Sequence, residues 1–445
     1  MDAWLPWVFG SVVTLAAMVW AYINYGGFGK SLRYQLPQPE EDEEGLPLDA
    51  SDSSSSSDEL PWVAIVSPGR NEAKHLPTVL PELCSQDYPN LQVVFIDDAS
   101  TDETQEIAGK IQDRFDNLMV CHNMEEPPAG WMGKCWAIQH GVNALRYLEV
   151  VQHRQEQTSN SERRPPQIYA VHHDEFNEVP SYHYEWLCFT DADIHWHPKL
   201  LRTAIAHAEE HDTDLLGVTP TLRFGSAGEA IVQLQLVLAL GLMLPFEKAM
   251  DPDSPVALTG GAFILVRRKF YEQIGGHTAV KGEMVEDLKL GAALKAAGAK
   301  HRVATAGELQ WCRMYDGWAD MWEGLTKNAY AGLGHRWWVA AGVVLATLLL
   351  NVGPVVYALA SAAWLALSPG WLPGATLLVS LLTVAWQARA LNAGRKLMNM
   401  PWPYAWTLPI GSAAYAAIII ASVAQYHTKG NAWKGRRYSS ADAAA

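Results

Sequence analysis

The sequence predicts an α/β domain with a mainly parallel, covered β-sheet, flanked by transmembrane helices. Three observations carry this. Short apolar, β-rich runs alternate with helical patterns between Pro61 and about Gly334; the stretch from Ala3 to Phe28 carries no charge; and three further apolar stretches follow residue 336. At 445 residues the chain exceeds one typical core, so two domains, or a domain plus a membrane region, is the expected partition.

In chain order, "AWLPWVFGSVVTLAAMVWAYINYGGF" is long enough to cross a hydrocarbon layer of about 30 Å and lacks a small-residue cleavage site, so residues 1–33 read as a retained anchor. Lys30 and Arg33 follow it while only Asp2 precedes it, which places the downstream chain in the cytoplasm and the protein in the plasma (inner) membrane. Residues 34–60, with "PQPEEDEEGLPLDASDSSSSSDEL", are acidic and Ser-rich and read as a disordered linker. The α/β domain spans 61–334. "WVAIVSP", "LQVVFIDD", "LMVCHN" and "WLCFTDAD" read as buried strands, "NEAKHLPTVLPELCSQ" and "STDETQEIAGKIQDRF" as helices between the first three, and about 152–184 as a polar surface insertion. Strands and helices in alternation imply a parallel sheet covered on its faces. "LQLVLALGLMLPF", 233–246, is too short to span and reads as a core or membrane-surface helix.

The C-terminal membrane region, 335–428, contains Trp337–Leu367, Trp371–Ala388 and Trp402–Gln425, and a basic tail, 429–445, follows. Three simple spans put the loop carrying Arg389, Arg395 and Lys396 inside and the tail outside, against the positive-inside bias. One stretch is therefore re-entrant or interfacial, or the long first one bends at Pro354 and crosses twice. The five cysteines form no CxxC pair and no metal-finger spacing, which fits reduced thiols and no structural zinc. The formal net charge is −15, but nine carboxylates fall between Glu40 and Glu59, where no Lys or Arg occurs; about −6 remains without them. No basic patch points to nucleic acid.

Ligands of parallel sheets bind beyond the carboxyl ends of the strands. Those ends carry Ser67 to Glu72, Asp97 with Asp98, and Asp191 with Asp193 in "CFTDADIHWHP". A lone D-x-D has little weight. At a strand end beside a second acidic pair, its oxygens can hold Mg²⁺ or Mn²⁺ and leave positions for phosphate. The structural alternative is that these acids cap turns and helices, with an N-cap at Ser100 or Thr101 in "DDASTDET".

"VAIVSPGRNEAKHL", "VVFIDDASTDET", "GWMGKCWAIQHG", "CFTDADIHWHP", "TGGAFILVRRKFYEQIGGH" and "VEDLKLGAALKAAG", in that order, resemble the motifs of membrane-bound family 2 glycosyltransferases with a GT-A fold, over about residues 61–334. The resemblance implies a nucleotide-diphosphate-sugar donor, of which UDP-sugars are the commonest, inversion at the anomeric centre, and a divalent metal on the diphosphate. By that mapping Pro68, Arg70, Glu72 and Asp98 lie by the base and ribose, with Asp97 behind them. Lys134 and Asp191 also line the donor site, Asp191 and Asp193 hold the metal, and Asp287 is the general base with Glu286 beside it. Processive polysaccharide synthases of this family carry Q-x-x-R-W where this chain has Glu323, Thr326 and Lys327. "GGHTAVKGEMVEDLKL" and "RMYDGWADMWEGLTKN" instead resemble transferases with membrane lipid acceptors, such as carotenoid-acid, hopene-associated or ceramide-like types, with Arg313 and Lys327 completing the donor site. A sugar or polysaccharide acceptor is the alternative, and a non-catalytic membrane scaffold a further one.

Overall fold

The computed structural model describes residues 34–38, 60–123, 126–158, 183–243, 246–283, 285–398, 400–429, 431–433 and 436–438. The expected anchor, most of the acidic linker and the insertion from 159 to 182 lie outside the described residues. Two compact units divide the chain, the first gathering Tyr34–Thr221 and Phe246–Cys312, the second Leu222–Pro245 and Arg313–Ser439. The span 61–334 is thus shared between them, because the apolar segment after Thr221 and the chain beyond Cys312 cluster with the C-terminal helices.

The elements run β1 (Val63–Gly69), α1 (Leu76–Cys84), β2 (Leu91–Asp98), α2 (Thr104–Gln112), β3 (Leu118–Asn123), α3 (Gly133–Thr158), β4 (Trp186–Phe189), β5 (Ile194–Trp196), α4 (Leu200–Glu210) and β6 (Leu215–Thr219). After α5 (Ala227–Met243), part of the second unit, come β7 (Ile264–Arg267), α6 (Arg268–Gln273), α7 (Glu286–Ala296), β8 (His301–Thr305) and β9 (Gln310–Cys312). Seven strands form one sheet in the order β3-β2-β1-β4-β7-β6-β8. Only β7 runs antiparallel to its neighbours, and β5 pairs with β9 outside this sheet. Every residue of β2 is buried, which is why its pattern is a continuous apolar run rather than an alternation. Ala137, Ile138, Val142, Leu145 and Leu148 recur at helical spacing on α3 and pack with Ala64, Val66, Val94 and Ile96 of the sheet in one core.

The linker begins later than residue 34. Gln35 bridges to Thr305 on the edge strand β8, Leu36 is buried, and the Gln38 amide donates to the Ala306 carbonyl at 3.1 Å, so this short stretch covers a sheet edge.

In the second unit α8 (Trp318–Gly332) precedes a continuous helical run from Trp337 to Leu367: α9 (Trp337–Thr347), a π-helical turn (Leu348–Val352) and α10 (Gly353–Leu367). Then come α11 (Trp371–Leu397) and α12 (Leu408–Lys429). Three helices here are long and apolar enough to cross a membrane, and Leu345, Leu359, Leu367, Leu381 and Ile410 on them are exposed, as lipid-facing side chains are. Arg389, Arg395 and Lys396 lie on α11 itself, which continues past the expected end at Ala388, rather than in a loop. The third stretch opens with a 3-10 turn at Trp402–Trp406, and its helix begins only at Leu408. The part of α5 from Val232 to Gln235 is buried against this group: the Ser412 hydroxyl of α12 donates to Gln235 at 3.1 Å and receives the Asn351 amide at 2.8 Å. The basic tail contributes a short antiparallel pair, Asn431–Trp433 with Arg436–Tyr438.

One buried ion pair ties α6 of the first unit to α3. Arg268, 1% exposed, donates from both terminal nitrogens to the two Glu149 oxygens at 2.5 and 2.9 Å, and from Nε to Glu272 at 3.1 Å. Removing one partner of such a pair strands the other charge. Arg268→Ala is expected to cost about 3–5 kcal/mol, read as a lower thermal midpoint of the detergent-solubilised protein. An unchanged midpoint would show that the pair contributes nothing.

Candidate functional site

The strand order turns back between β1 and β4: β2 and β3 lie to one side of β1, β4 to the other. At such a switch point the loops leaving neighbouring strands diverge and open a crevice. Pro68 stands at the end of β1 and Asp191 just beyond β4. The turn "TGGAF" closes over them: the Asp191 N–H donates to the Gly261 carbonyl at 2.9 Å, and the Thr190 hydroxyl to that of Ala262 at 2.8 Å. Gly261 allows this approach, since a Cβ there would lie 2.6 Å from an Asp191 oxygen and 2.8 Å from Lys134 Nζ.

Two helix N-termini complete the crevice. Lys134, in the first turn of α3, places Nζ 2.6 Å from Asp191 Oδ1 and 2.7 Å from Glu286 Oε1. Glu286 and Asp287 open α7, where the helix dipole favours negative charge. The Asp287 carboxylate is fixed at both oxygens, Oδ2 accepting from the Gly261 N–H at 2.9 Å and Oδ1 from the Leu288 N–H at 2.8 Å. The Thr259 hydroxyl donates to the Asp287 carbonyl at 2.6 Å. Pro68, Lys134, Asp191, Gly261, Glu286 and Asp287 thus line one cleft, with Phe189 and His277 among its remaining walls.

Negative charge is concentrated here. Burial, then Glu286 and more weakly Asp191, push the Asp287 carboxyl up to about 6, even though Lys134 and the Leu288 N–H pull it down. Asp193 is likewise pushed up to about 6, by burial first and then by Asp191 and Glu72. Burial opposes the Lys134 ammonium, but Asp191, Glu286 and Asp287 outweigh it and hold its pKa well above the ordinary value. Hard, acceptor-only oxygens under mutual repulsion fit Mg²⁺ or Mn²⁺ at Asp191 and Asp193. Among the described residues, the group of three potential ligands within 4.8 Å of one another is elsewhere, His207, Glu210 and His211 near the end of α4. Two carboxylates do not enclose a cation, and a metal between them would keep positions for phosphate oxygens.

The loops after β1 and β2 are laced together. Arg70 donates to the Asp98 carbonyl at 2.7 Å, the Asn71 N–H to Ser100 Oγ at 2.9 Å, the Thr101 N–H to Asn71 Oδ1 at 2.8 Å, and the Glu72 N–H to Thr104 Oγ1 at 2.8 Å. Ser100 and Thr101 therefore do not cap α2, whose capping position is Glu103; their polar groups are spent on the neighbouring loop. Asp97 and Asp98 are both buried, Asp97 accepting from the Ser100 N–H at 3.2 Å and Asp98 from the Asn123 amide at 3.1 Å. Arg313 and Lys327 belong to the second unit, where Arg313 lies 3.4 Å from Glu229 and 3.5 Å from Asp316 and Lys327 is on α8. Thr259, Gly261 and His277 were not singled out by sequence, although they stand in the quoted "TGG" and "GGH" stretches.

A family model described as Glycosyltransferase like family 2 matches residues 61–315. Among solved structures the chain is similar to a mannosyltransferase, PcManGT from Pyrobaculum calidifontis, in complex with GDP-Man and Mn²⁺, at 16% identity, over 95% of this chain and 98% of that one, with a TM-score of 0.45. It is also similar to S. aureus TarS 1-349 in complex with UDP-GlcNAc, at 14% identity, over 84% of this chain and 93% of that one, with a TM-score of 0.35. No curated protein matches the chain.

Because Asp287 titrates near 6 in the folded protein rather than at the ordinary 3.8, the folded state holds more protons than the unfolded one between those values. Its contribution to stability is present at pH 4 and lost as pH rises through 6. Asp287→Asn is expected to melt higher than wild type at pH 7.5 and to lose that advantage near pH 4. Equal midpoints at pH 7.5 would show that the carboxylate is not destabilising.

Proposed function

The chain belongs to the family described as Glycosyltransferase like family 2, with a GT-A-like α/β domain, and from that premise we propose an inverting transfer of a sugar from a nucleotide-diphosphate-sugar to a membrane lipid acceptor. The observation that carries the reading is Asp287: a half-buried carboxylate pinned by two backbone N–H groups, 2.9 and 2.8 Å away, at the mouth of the strand switch, with a pKa near 6. A base for an alcohol needs a fixed position and a pKa close to working pH, and this group has both. Asp287 takes the acceptor hydroxyl's proton as that oxygen attacks the anomeric carbon from the face opposite the leaving diphosphate. The new bond joins acceptor oxygen to anomeric carbon; the bond broken joins that carbon to the phosphate oxygen, which departs with its electron pair.

Glu286, engaged by Lys134 at 2.7 Å, serves to hold that lysine rather than as a second base. Lys134 itself offers positive charge beside the leaving group. Asp191 and Asp193 would hold Mg²⁺ or Mn²⁺, which when bound neutralises charge on the diphosphate. Pro68, Arg70, Glu72, Asp97 and Asp98 form the nucleotide end of the site. Three membrane-length helices in the same chain support a lipid acceptor and an integral membrane protein. In this reading it sits in the plasma (inner) membrane with the catalytic domain cytoplasmic, as Lys30 and Arg33 favour.

The test is nucleoside diphosphate release by the full-length protein in membranes, across UDP-glucose, UDP-galactose, UDP-GlcNAc and GDP-mannose, with Mg²⁺ or Mn²⁺, with and without a total lipid extract. Lipid-stimulated, metal-dependent turnover is expected, falling on the order of 10²–10⁴-fold in Asp287→Asn. With a base near 6, turnover should fall about tenfold per pH unit below that value and level off above it. Turnover indifferent to lipid would move the acceptor to a sugar, and full activity in Asp287→Asn would remove the proposed base.

A further inference from the structure

His277 lines the same cleft, yet the reaction as derived gives it no part. It is 1% exposed and follows two glycines with positive φ, +79° at Gly275 and +65° at Gly276. A side chain at Gly276 would meet the Tyr271 ring, a Cβ there lying 2.9 Å from it, so this turn exists to lay His277 against Tyr271. The His277 N–H donates to Gln139 Oε1 at 3.1 Å and to the Tyr271 hydroxyl oxygen at 3.2 Å. Gln139 lies on α3, five positions after Lys134, so the helix that supplies the lysine also holds the histidine's backbone.

The hydrogen bonds assign the tautomer. Tyr271 Oη lies 2.7 Å from His277 Nδ1, the acceptor it has among the described residues, so giving its proton to Nδ1 is the arrangement that leaves this buried hydroxyl hydrogen partnered. The neutral ring then carries its hydrogen on Nε2, the one ring nitrogen left for the cleft. Phe189 packs edge-on against the imidazole, centroids 5.0 Å apart, and fixes its plane. Burial, and then Lys134, push the ring's pKa down to about 3, so the ring is uncharged at neutral pH. An imidazolium beside Lys134 would repel it, and an Nδ1–H tautomer would leave an acceptor facing the cleft.

We infer that His277, locked by Tyr271, donates its Nε2–H to a hydroxyl oxygen of the transferred sugar, and so selects for a hydroxyl at that ring position. This rests on the glycosyltransferase reading of the same cleft. Phosphate charge would be answered by Lys134 and by the cation that Asp191 and Asp193 would hold, whereas a single neutral donor between Phe189, Ile138 and Leu290 matches a neutral hydroxyl with an apolar sugar face beside it. Tyr271 is the positioning residue, acting through the ring.

The test uses the full-length protein in detergent with Mn²⁺, measuring the affinity of each sugar nucleotide against that of its bare nucleoside diphosphate. His277→Phe is expected to weaken the sugar nucleotide that wild type turns over by roughly tenfold, the order of one lost neutral hydrogen bond. The nucleoside diphosphate should bind as in wild type, which also reports an intact fold. His277→Gln, which keeps an N–H donor, should recover most of the loss, and Tyr271→Phe should show a smaller loss of the same selective kind. Among deoxy-sugar analogues, one should bind wild type as weakly as the parent sugar nucleotide binds His277→Phe. Equal weakening of the sugar nucleotide and nucleoside diphosphate, or no rescue by glutamine, would overturn the role while leaving the enzyme reading intact. Failure of wild type to bind any sugar nucleotide would overturn both.

Discussion

The site depends on one ammonium group. Lys134 Nζ stands 2.6 Å from Asp191 and 2.7 Å from Glu286, and so joins the first turn of α3, the end of β4 and the first turn of α7. A cation at the start of α3 opposes that helix's dipole, and burial opposes it further; three surrounding carboxylates reverse the balance. The cleft is therefore a bound arrangement of opposite charges before any substrate enters. With Lys134 engaging Glu286, Asp287 is the carboxylate of the pair held by backbone N–H groups alone.

The same crowding has a thermodynamic consequence. Asp193 and Asp287, both near 6, are groups the fold would prefer protonated, so at neutral pH they hold the domain below its attainable stability. Cationic ligands relieve that repulsion, which couples their binding to folding. His277 works in the opposite direction: its neutral form is the one the fold accommodates, and its contribution is present above pH 6.5 and lost as pH falls towards about 3. The first unit meets these costs elsewhere, in the buried core of α3 on the sheet.

The second unit follows a different rule. Its helices expose large apolar side chains to the outside and keep polar ones within, as Gln235, Ser412 and Asn351 hydrogen-bond across three elements. Within the π-helical turn at Leu348–Val352 the Leu350 carbonyl accepts the Gln387 amide, at 2.6 Å. Pro354, four residues on in the continuous helical run, has no N–H to give that carbonyl, so the glutamine amide takes the place of the missing backbone bond.

Sequence alone determined the strands, since β-rich runs such as "LQVVFIDD" must be buried on both faces, and the membrane-length stretches, since apolar length is a local property. The acids at the strand ends were equally legible, because in a parallel sheet those ends face one way, and the ordered motifs added roles for Asp287 and Lys134. Only the tertiary structure decided which of these groups meet. Which carboxylates Lys134 would bridge depends on strand order, and strand order is set by long-range pairing. The antiparallel β7, the ordering of Gln35–Gln38 on the sheet edge, the loss of the caps at Ser100 and Thr101 to Asn71, and the membership of α5 in the helical unit all arise from partners far away in the chain. His277 is the clearest case: nothing local to a histidine after two glycines says that its ring will meet a hydroxyl six residues before it, or that its backbone N–H will be held by a glutamine on α3.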